Sequence, residues 1–588
     1  MRGKQELVQE GVVVLVVAAI VMVANTTAHV APNEEGGAGP VDQFIDNVPE
    51  AQTPEGPVPP EMSLKPPEGP EVEQSARDVP EIPDEDGDVV VISLGGGEEQ
   101  VVMAQIATVL HSHGHQVTAI VYGTQPRDHP FPDTVKVREV TIADGDPLYP
   151  DGVVMGVTPG EEGGLEWVSG RVMASRARAC GQVSRLAWVE ETVARAKLLV
   201  APLFLQDICV LTLARRAGVP AVGVLTSRVG AWWAWEHLGV LPPLATTPVP
   251  PTTMAEPTIW ARASNLARHY GYLASLRQQW QVPALTALDS AWTPPTLETL
   301  YASLARVLLT WDPLLDAHIP STPLIVPIGG FYLETGHITK DVLVPAILNR
   351  AGVLTVCPGG GEAWVGDHAL RALYTVLEST SYTVLWRTTH PHLRPNVSED
   401  DTTTAKFLFR EFLPLSDVLN HPRHRILIST CVETEVMAAV YFGSPILCLP
   451  VTTDQTLAAA ALVNLGLGVS VPAAEATQHN LREAIHTLAT QRSYRERGRD
   501  LGEELHDQPL APSDRLLFTL ERVMRKPHSR RYRRQVSGVG GGLYLLQLSN
   551  ADVYLLLLIL LATLIGLLMA LAIALLPILL KKQKAKAD

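Results

Sequence analysis

From residue 89 onward, apolar runs of strand length alternate with stretches in which apolar residues recur at helical spacing. Residues 89–94 form an unbroken apolar run of strand length, and the glycines at 95–97 end it. Residues 101–111 then place apolar side chains at helical spacing, and residues 116–122 form a second run of strand length. Strand, glycine turn, helix and strand in this order predict a βαβ unit with a parallel sheet.

The same pattern returns later in the chain, in two separate groups of segments. In the first group, a strand-like run at 197–202 is followed by a helix at 209–217 and a second strand-like run at 221–225. The second group follows a long middle region. It has strand-like runs at 353–356, 382–386, 425–429 and 445–449 and helices at 367–378 and 434–441. We therefore predict an α/β protein with two Rossmann-like domains that face a cleft, where ligands bind outside the carboxyl ends of the strands.

Both ends of the chain have the patterns of membrane targeting. Arg2 and Lys4 precede a short apolar run and small residues, which predicts a signal peptide at 1–28, with an uncleaved signal anchor as the alternative. Residues 553–580 are apolar without a charge and predict a transmembrane helix. Because the tail at 581–588 is rich in lysine, we expect it in the cytosol and the folded body in the lumen.

Charge is distributed unevenly over the 588 residues. The formal net charge is −16, but most of it lies in the segment 29–87, which is rich in proline and acidic residues. This composition predicts a disordered linker, for which a docking role is the alternative. The rest of the chain is nearly neutral and has no basic face, which excludes a nucleic-acid-binding surface.

The five cysteines have no metal-binding spacing, so we predict no metal site. Their odd number allows at most two disulfides, and three of them lie in apolar, strand-like segments, where buried free thiols are the expected form. Asn396 begins a glycosylation sequon that a lumenal body would expose.

Short motifs toward the C terminus carry a family resemblance. They are Phe412-Leu413-Pro414, His421-Pro422, Gly443-Ser444-Pro445, Asp454-Gln455 and a run of matching positions between His506 and Arg525. This pattern resembles the animal UDP-glucuronosyltransferases and their relatives, which are membrane-bound UDP-glycosyltransferases of the inverting GT-B type.

The resemblance implies a domain organisation and a location. We expect an acceptor domain at 88–335, a UDP-sugar domain at 336–527 and a juxtamembrane segment at 528–552. It also implies a single-pass type I protein of the endoplasmic reticulum membrane, a UDP-sugar as co-substrate without any cofactor, and oligomers with itself or with related glycosyltransferases.

The family's catalytic pair is altered in this chain. Members of the family use a histidine base that an aspartate orients. At those two positions this chain has Glu99 and Pro202, and Asp207 follows nearby. Glu99 is a candidate base if burial raises its pKa. The alternative is a solvated glutamate at a helix start.

The donor-sugar positions are largely replaced as well. Leu415 stands for a glutamine, Thr430 begins the segment that replaces His-Gly-Gly, and Thr434 stands for an asparagine. The resemblance assigns donor contacts to Phe412, Leu415, Thr430, Thr434, Asp454, Gln455, Gly359 and Gly360.

Two classes of function follow from this mixture. In the first, the chain transfers a hexosyl group from a UDP-sugar to a lipophilic acceptor. In the second, it is a catalytically inactive homologue that binds a ligand or a partner at the membrane.

Overall fold

The structure is a computed structural model of the 588-residue chain. It describes residues 89–95, 97–122, 130–140, 170–238, 240, 258–288, 296–315, 322–333, 351–358, 365–388, 406–410, 413–525 and 551–584. The chain divides into residues 1–84 and 85–588, and all described residues belong to the second unit. The expected signal peptide, the whole predicted linker and Asn396 lie outside the described residues.

The first domain is built on a seven-stranded sheet in the order β3-β2-β1-β4-β5-β6-β7, and every neighbouring pair is parallel. Parallel strands that are covered on both faces consist of continuous apolar residues, and β1, β4 and β5 are buried throughout. The strands are β1 Val89–Ser93, β2 Val117–Tyr122, β3 Lys136–Val140, β4 Leu198–Pro202, β5 Ala221–Leu225, β6 Arg306–Leu309 and β7 Ile325–Pro327.

Helices follow the strands of this sheet and cover its faces. They are α1 Glu98–Ser112, α2 Gly170–Arg185, α3 Ala187–Ala194, α4 Asp207–Ala217, α5 Arg228–Leu238, α6 Ile259–Leu276, α7 Val282–Ala287 and α8 Leu297–Tyr301. A π-helical turn, Arg277–Gln281, joins α6 to α7, and Pro313–Leu315 forms one 3₁₀ turn. Helix α4 ends at Gly218, whose φ of 71° is the left-handed conformation that glycine adopts without strain.

The second domain repeats this plan with six strands in the order β10-β9-β8-β11-β12-β13, again all parallel. The strands are β8 Val353–Cys357, β9 Thr383–Arg387, β10 Phe407–Arg410, β11 His424–Ser429, β12 Ile446–Cys448 and β13 Gly468–Ser470. The predicted pair of Rossmann-like domains is therefore confirmed.

The helices after β8 complete the second domain and return the chain to the first. They are α9 Asp367–Glu378, α10 Leu415–Leu419, α11 Glu433–Tyr441, α12 Thr453–Asn464, α13 Gln478–Thr490, α14 Arg492–His506 and α15 Pro512–Arg525, with a 3₁₀ turn at Ala473–Glu475. Leu516, Leu520 and Val523 of α15 are buried in the core that surrounds β1, β2 and α1. Helix α15 thus packs against the first domain.

The prediction of three buried free thiols is wrong for at least two of the three, because four of the five cysteines form two disulfides. Cys180 pairs with Cys209, and Cys431 pairs with Cys448, each with a Cα–Cα distance of 5.4 Å. Cys448 ends β12 directly beside Ser429, and Cys431 follows Ser429 by two residues, so the parallel register brings the second pair together. Cys357 is a buried free thiol, as expected.

Helix α16 spans Ala551–Lys584 and contains the predicted transmembrane segment. Within it, Val553–Ile573 has a mean hydropathy of 3.0 and is long enough to cross a bilayer. Among the described residues it is the one helix with both properties.

Candidate functional site

A cleft lies between the carboxyl ends of the two sheets, and four helices begin at its walls. They are α1 and α5 of the first domain and α11 and α12 of the second. Each helix N-terminus carries partial positive charge and unpaired backbone N–H groups, so their convergence favours anions. The described residues that line the cavity in this cleft are Glu98, Glu99, Thr226, Ser227, Arg228, Cys431, Val432, Glu433, Thr452, Asp454 and Gln455.

Glu99 lies in the first turn of α1 and is only 5% exposed. Its Oε1 accepts hydrogen bonds from the Ser93 hydroxyl at 3.0 Å, the Gly95 backbone N–H at 2.9 Å and Gln206 Nε2 at 2.6 Å. Its Oε2 is buried without a hydrogen-bond partner, and Glu99 lines the cavity. The alternative of a solvated glutamate is therefore wrong, because Glu99 is a buried carboxylate with one oxygen committed and one free.

Two neighbours of Glu99 escaped the sequence analysis. Gln206 is fully buried, and its Oε1 accepts from the Leu94 backbone N–H at 2.7 Å while its amide nitrogen holds Glu99. Gly95 leaves room for the carboxylate, because a Cβ there would lie 2.1 Å from Glu99 Oε1. Gln206, rather than Pro202 or Asp207, is thus the residue that orients Glu99.

Asp207 has a different role, inside the first domain. Its fully buried carboxylate accepts hydrogen bonds from Trp233 Nε1 at 2.9 Å, Trp280 Nε1 at 3.1 Å and the Tyr301 hydroxyl at 2.9 Å. Burial raises the pKa of this carboxyl above its usual range, while the three donors oppose that shift. Asp207 does not line the cleft cavity and joins α4, α5, the π-helical turn and α8.

Glu98 makes a contact across the cleft. Its Oε1 accepts a hydrogen bond of 2.6 Å from the backbone N–H of Thr434, the second residue of α11. This N–H is one of those that an α-helix leaves unpaired at its start. Burial, assisted by the charges of Glu433 and Glu435, raises the pKa of Glu98 to about 8.

Asp454 of the second domain makes the matching contact with a helix N-terminus of the first domain. It is the second residue of α12, and its carboxylate accepts from the Val229 backbone N–H at 2.8 Å and from the Ser227 hydroxyl at 2.9 and 3.1 Å. Val229 is the second residue of α5. Burial raises the pKa of Asp454 to about 6, although these hydrogen bonds lower it.

A buried ion pair lies between these two contacts. Arg228 Nε is 2.8 Å from Glu433 Oε2, and Arg228 Nη2 is 3.1 Å from Glu433 Oε1, with side chains 7% and 8% exposed. This is the bidentate geometry of strong guanidinium–carboxylate pairs. Among the described residues that line the cavity, Arg228 is the only cation, and Glu433 neutralises it.

The loop that replaces His-Gly-Gly is fixed from several sides. The Thr430 hydroxyl donates to the Pro358 carbonyl at 3.2 Å, and the Cys431 N–H donates to the Ser429 hydroxyl at 2.7 Å. Cys431 has a φ of 63°, a conformation that favours glycine, and its disulfide to Cys448 ties the loop to β12. The N–H groups of Cys431 and Thr434 are therefore both occupied within the protein.

The other predicted donor residues are distributed unevenly. Gln455 is buried, and its Oε1 accepts from the backbone N–H groups of Val451 and Thr452 in a capping box at the start of α12. Leu415 begins α10 and packs against the hydrophobic core instead of lining the cavity. Phe412, Gly359 and Gly360 lie outside the described residues.

The cleft thus combines four carboxyl groups with helix N-termini, and the Thr434 and Val229 N–H groups at two of them already bind a carboxyl group of the other domain. Glu98, Glu99, Glu433 and Asp454 line it together with hydroxyl groups. No cluster of three or more metal-ligating side chains suited to a metal ion occurs within the described part of the chain. An acidic residue in the first turn of a helix that follows a buried strand is the sequence signal that could have identified Glu98 as a residue of the cleft.

Comparison with protein families gives one matching family model. It is described as "UDP-glucoronosyl and UDP-glucosyl transferase" and matches residues 350–585. This range contains the whole second sheet and the apolar helix α16.

Two curated proteins that are similar to this chain are UDP-glucuronosyltransferases. Mouse UDP-glucuronosyltransferase 1A7 is 26% identical over 339 residues, which cover 55% of this chain and 61% of that protein. Human UDP-glucuronosyltransferase 1A10 is 29% identical over 244 residues, 40% of this chain and 44% of the relative. The chain therefore matches about three fifths or less of the length of these two relatives.

Among solved structures, the glycotransferase of kitacinnamycin covers 75% of this chain and 99% of its own at 16% identity and a TM-score of 0.48. A structure of LpCGTa in complex with UDP covers 75% of this chain and 99% of its own, at 16% identity and a TM-score of 0.46.

Proposed function

We propose, on the premise that this chain belongs to the UDP-glucuronosyl and UDP-glucosyl transferase family, that it is a non-catalytic, UDP-glycosyltransferase-like membrane protein. UDP-glycosyltransferases with the GT-B fold use a UDP-sugar as co-substrate and require no cofactor. In this chain we infer a role in binding a ligand or a partner at the membrane instead of sugar transfer.

The observation that carries the proposal is the contact between Glu98 and the Thr434 N–H at the start of α11. A helix N-terminus is the ordinary binding place for a phosphate group. Here a carboxylate of the other domain lies at that place, and the one lining cation is paired with Glu433. A diphosphate entering the cleft would meet four carboxylates without an available positive side chain among the described lining residues.

The size of the cavity supports the same conclusion. It encloses about 50 Å³, whereas sites for small organic ligands typically enclose roughly 300–1,000 Å³. A nucleotide sugar enters such a cleft only after the two domains separate, which breaks the contacts of Glu98, Asp454 and Arg228.

Active transfer is the second candidate, and the free oxygen of Glu99 favours it. Glu99 Oε2 is buried, unpartnered and part of the cavity lining, as a base awaiting an acceptor hydroxyl would be. In that function Glu99 takes the proton of a lipophilic acceptor, Asp454 and Gln455 bind the donor hexose, and Phe412 stacks on uracil.

A turnover assay separates the two candidates. The full-length protein in lipid nanodiscs is incubated with UDP-glucuronic acid, UDP-glucose, UDP-galactose or UDP-N-acetylglucosamine and a mixture of lipophilic phenols, and released UDP is measured. We expect the wild type to release UDP at the background rate of the Glu99→Gln variant. Release above that background that Glu99→Gln abolishes would establish the transferase.

We also propose a lumenal body in the endoplasmic reticulum with a cytosolic lysine tail. The apolar helix α16 and the lysines after it support this orientation. Glycosidase treatment should shift the mass of the wild type but not of Asn396→Gln, and an unshifted wild type would contradict a lumenal position of Asn396.

A further inference from the structure

The contacts across the cleft are reciprocal. Glu98, in the first turn of α1, binds the N–H of the second residue of α11. Asp454, in the first turn of α12, binds the N–H of the second residue of α5. Each domain thus supplies a carboxylate to a helix N-terminus of the other domain, and the Arg228–Glu433 pair joins the same two helices, α5 and α11.

The two carboxylates differ in the alternatives that their partners have. At α5 the first domain itself supplies a side-chain acceptor for one first-turn amide, because the Ser227 hydroxyl accepts from the Gly230 N–H at 2.8 Å. For the Thr434 N–H, the only acceptor that the structure shows among the described residues is Glu98, since Val432 at the N-cap offers no side-chain acceptor. A carboxyl oxygen of Glu98 therefore occupies the place that an oxygen of an anionic ligand would take at α11.

The helix dipoles of the cleft, unlike its carboxyl groups, favour an anion at the same point. Four helix N-termini converge there, and α11, with nine residues, is long enough to have a macrodipole. Glu99 Oε2 in the same cavity is buried without a hydrogen-bond partner, so a polar group that donates a hydrogen bond can enter this space. Removal of the Glu98 carboxylate would leave the Thr434 N–H unpaired in this polar cavity.

We propose that Glu98 is a built-in competitor that excludes nucleotide diphosphates from the cleft by occupying the N-terminus of α11. Glu98 is thus a specificity-determining residue for this site. The inference rests on the proposed function, because it gives the reason why a UDP-sugar is not turned over. Glu98 binds this N–H as an intramolecular ligand, whose high effective concentration places free UDP at a disadvantage.

The test is calorimetric titration of UDP into the full-length protein in nanodiscs. Truncation of the carboxylate in Glu98→Ala should tighten UDP binding at least tenfold relative to wild type. Glu483→Ala is the matched control, because Glu483 is an exposed glutamate of α13 that does not line the cavity. An equal UDP affinity in wild type and Glu98→Ala, or an equal gain in Glu483→Ala, would overturn the proposal.

A second variant protects the test against misfolding. Glu98→Ser keeps a short polar side chain at the start of α1, where serine is well tolerated, but it is too short to cross the cleft. If Glu98→Ala does not show a cooperative thermal transition, the tenfold gain is expected in Glu98→Ser, and its absence there counts against the proposal.

The two hypotheses fail in different ways. UDP release by the wild type refutes the proposed function, whatever Glu98 does. Suppose that the wild type releases no UDP and that neither the wild type nor Glu98→Ala binds UDP. The proposed function then stands, and the proposed role of Glu98 is refuted.

Discussion

The chain buries carboxylates in two regions, around Asp207 in the first domain and in the cleft between the domains. All three donors to Asp207 belong to the first domain, so this cluster remains intact whether the cleft is open or closed. Glu98 and Asp454 have donors in the opposite domain, so their contacts exist only when the cleft is closed. Burial of a carboxylate is therefore poor evidence of function until it is known whether its partners move with it.

The largest effect that we expect concerns the cluster within one domain. Asp207→Ala leaves two indole N–H groups buried without acceptors, each at a cost of roughly 1–3 kcal/mol, while the Tyr301 hydroxyl keeps the Leu203 carbonyl as an acceptor. Thermal or denaturant unfolding should show a loss of about 4 kcal/mol.

The control for this variant is Asp367→Ala. Asp367 is exposed and, within the described part of the chain, forms an ion pair with Arg371 one turn away, so the loss should be about 0.5 kcal/mol or less. Similar losses in the two variants would show that the Asp207 cluster is not a structural centre.

Removal of one partner from the buried ion pair should have the next largest effect. Arg228→Met leaves Glu433 charged and unpaired, which costs roughly 3–5 kcal/mol when a buried pair is broken from one side. Because this pair joins the two domains, the variant should have a more open cleft. Small-angle scattering of the detergent-solubilised protein measures this opening.

The double variant Arg228→Met/Glu433→Leu tests the same point. Replacing both partners by apolar side chains removes the unpaired charge, so the closed shape should return. A single variant as compact as the wild type would mean that the pair does not hold the cleft closed.

A smaller effect is expected from pH. The pKa of Glu98 rises from 4.5 to about 8 and that of Asp454 from 3.8 to about 6 in the closed cleft. Between the lower and the higher pKa of each residue, its carboxyl group is therefore protonated in the closed cleft and ionised in the open cleft. Closure is strongest at low pH and weakens as the pH rises through about 6 and then 8, by at most about 1.4 kcal/mol per proton and pH unit.

Scattering between pH 5 and pH 9 measures this dependence. The neighbouring groups that also act on the two carboxylates are Glu433, Glu435, Arg228, Tyr332 and Tyr272. Glu98→Gln should remove the part of the transition near pH 8 and keep the part near pH 6. Opening on acidification instead would show that the sign of the linkage is wrong.

The two regions also differ in how far the sequence predicts them. Apolar runs predicted eight of the thirteen described strands and missed β3, β6, β7, β10 and β13, which lie toward the edges of the two sheets. The uncharged segment after residue 552 was sufficient to predict helix α16. These features depend on neighbours in the chain.

The cleft depends on residues that are far apart in the sequence. Glu98 and Thr434 are separated by 336 positions, and only the closure of the two domains brings them together. Gln206 likewise holds Glu99 across 107 positions without a motif to mark it. The cysteine pairs were missed for the same reason, since strand register places Cys448 near Cys431.

Hydrogen exchange of the Thr434 amide tests the central claim most directly. This N–H belongs to the first turn of α11, so no backbone carbonyl of its own helix accepts from it, and Glu98 is the acceptor in the structure. The account predicts slow exchange in the wild type, unchanged by millimolar UDP, and fast exchange in Glu98→Ala that UDP slows. Fast exchange in the wild type that UDP slows would contradict it.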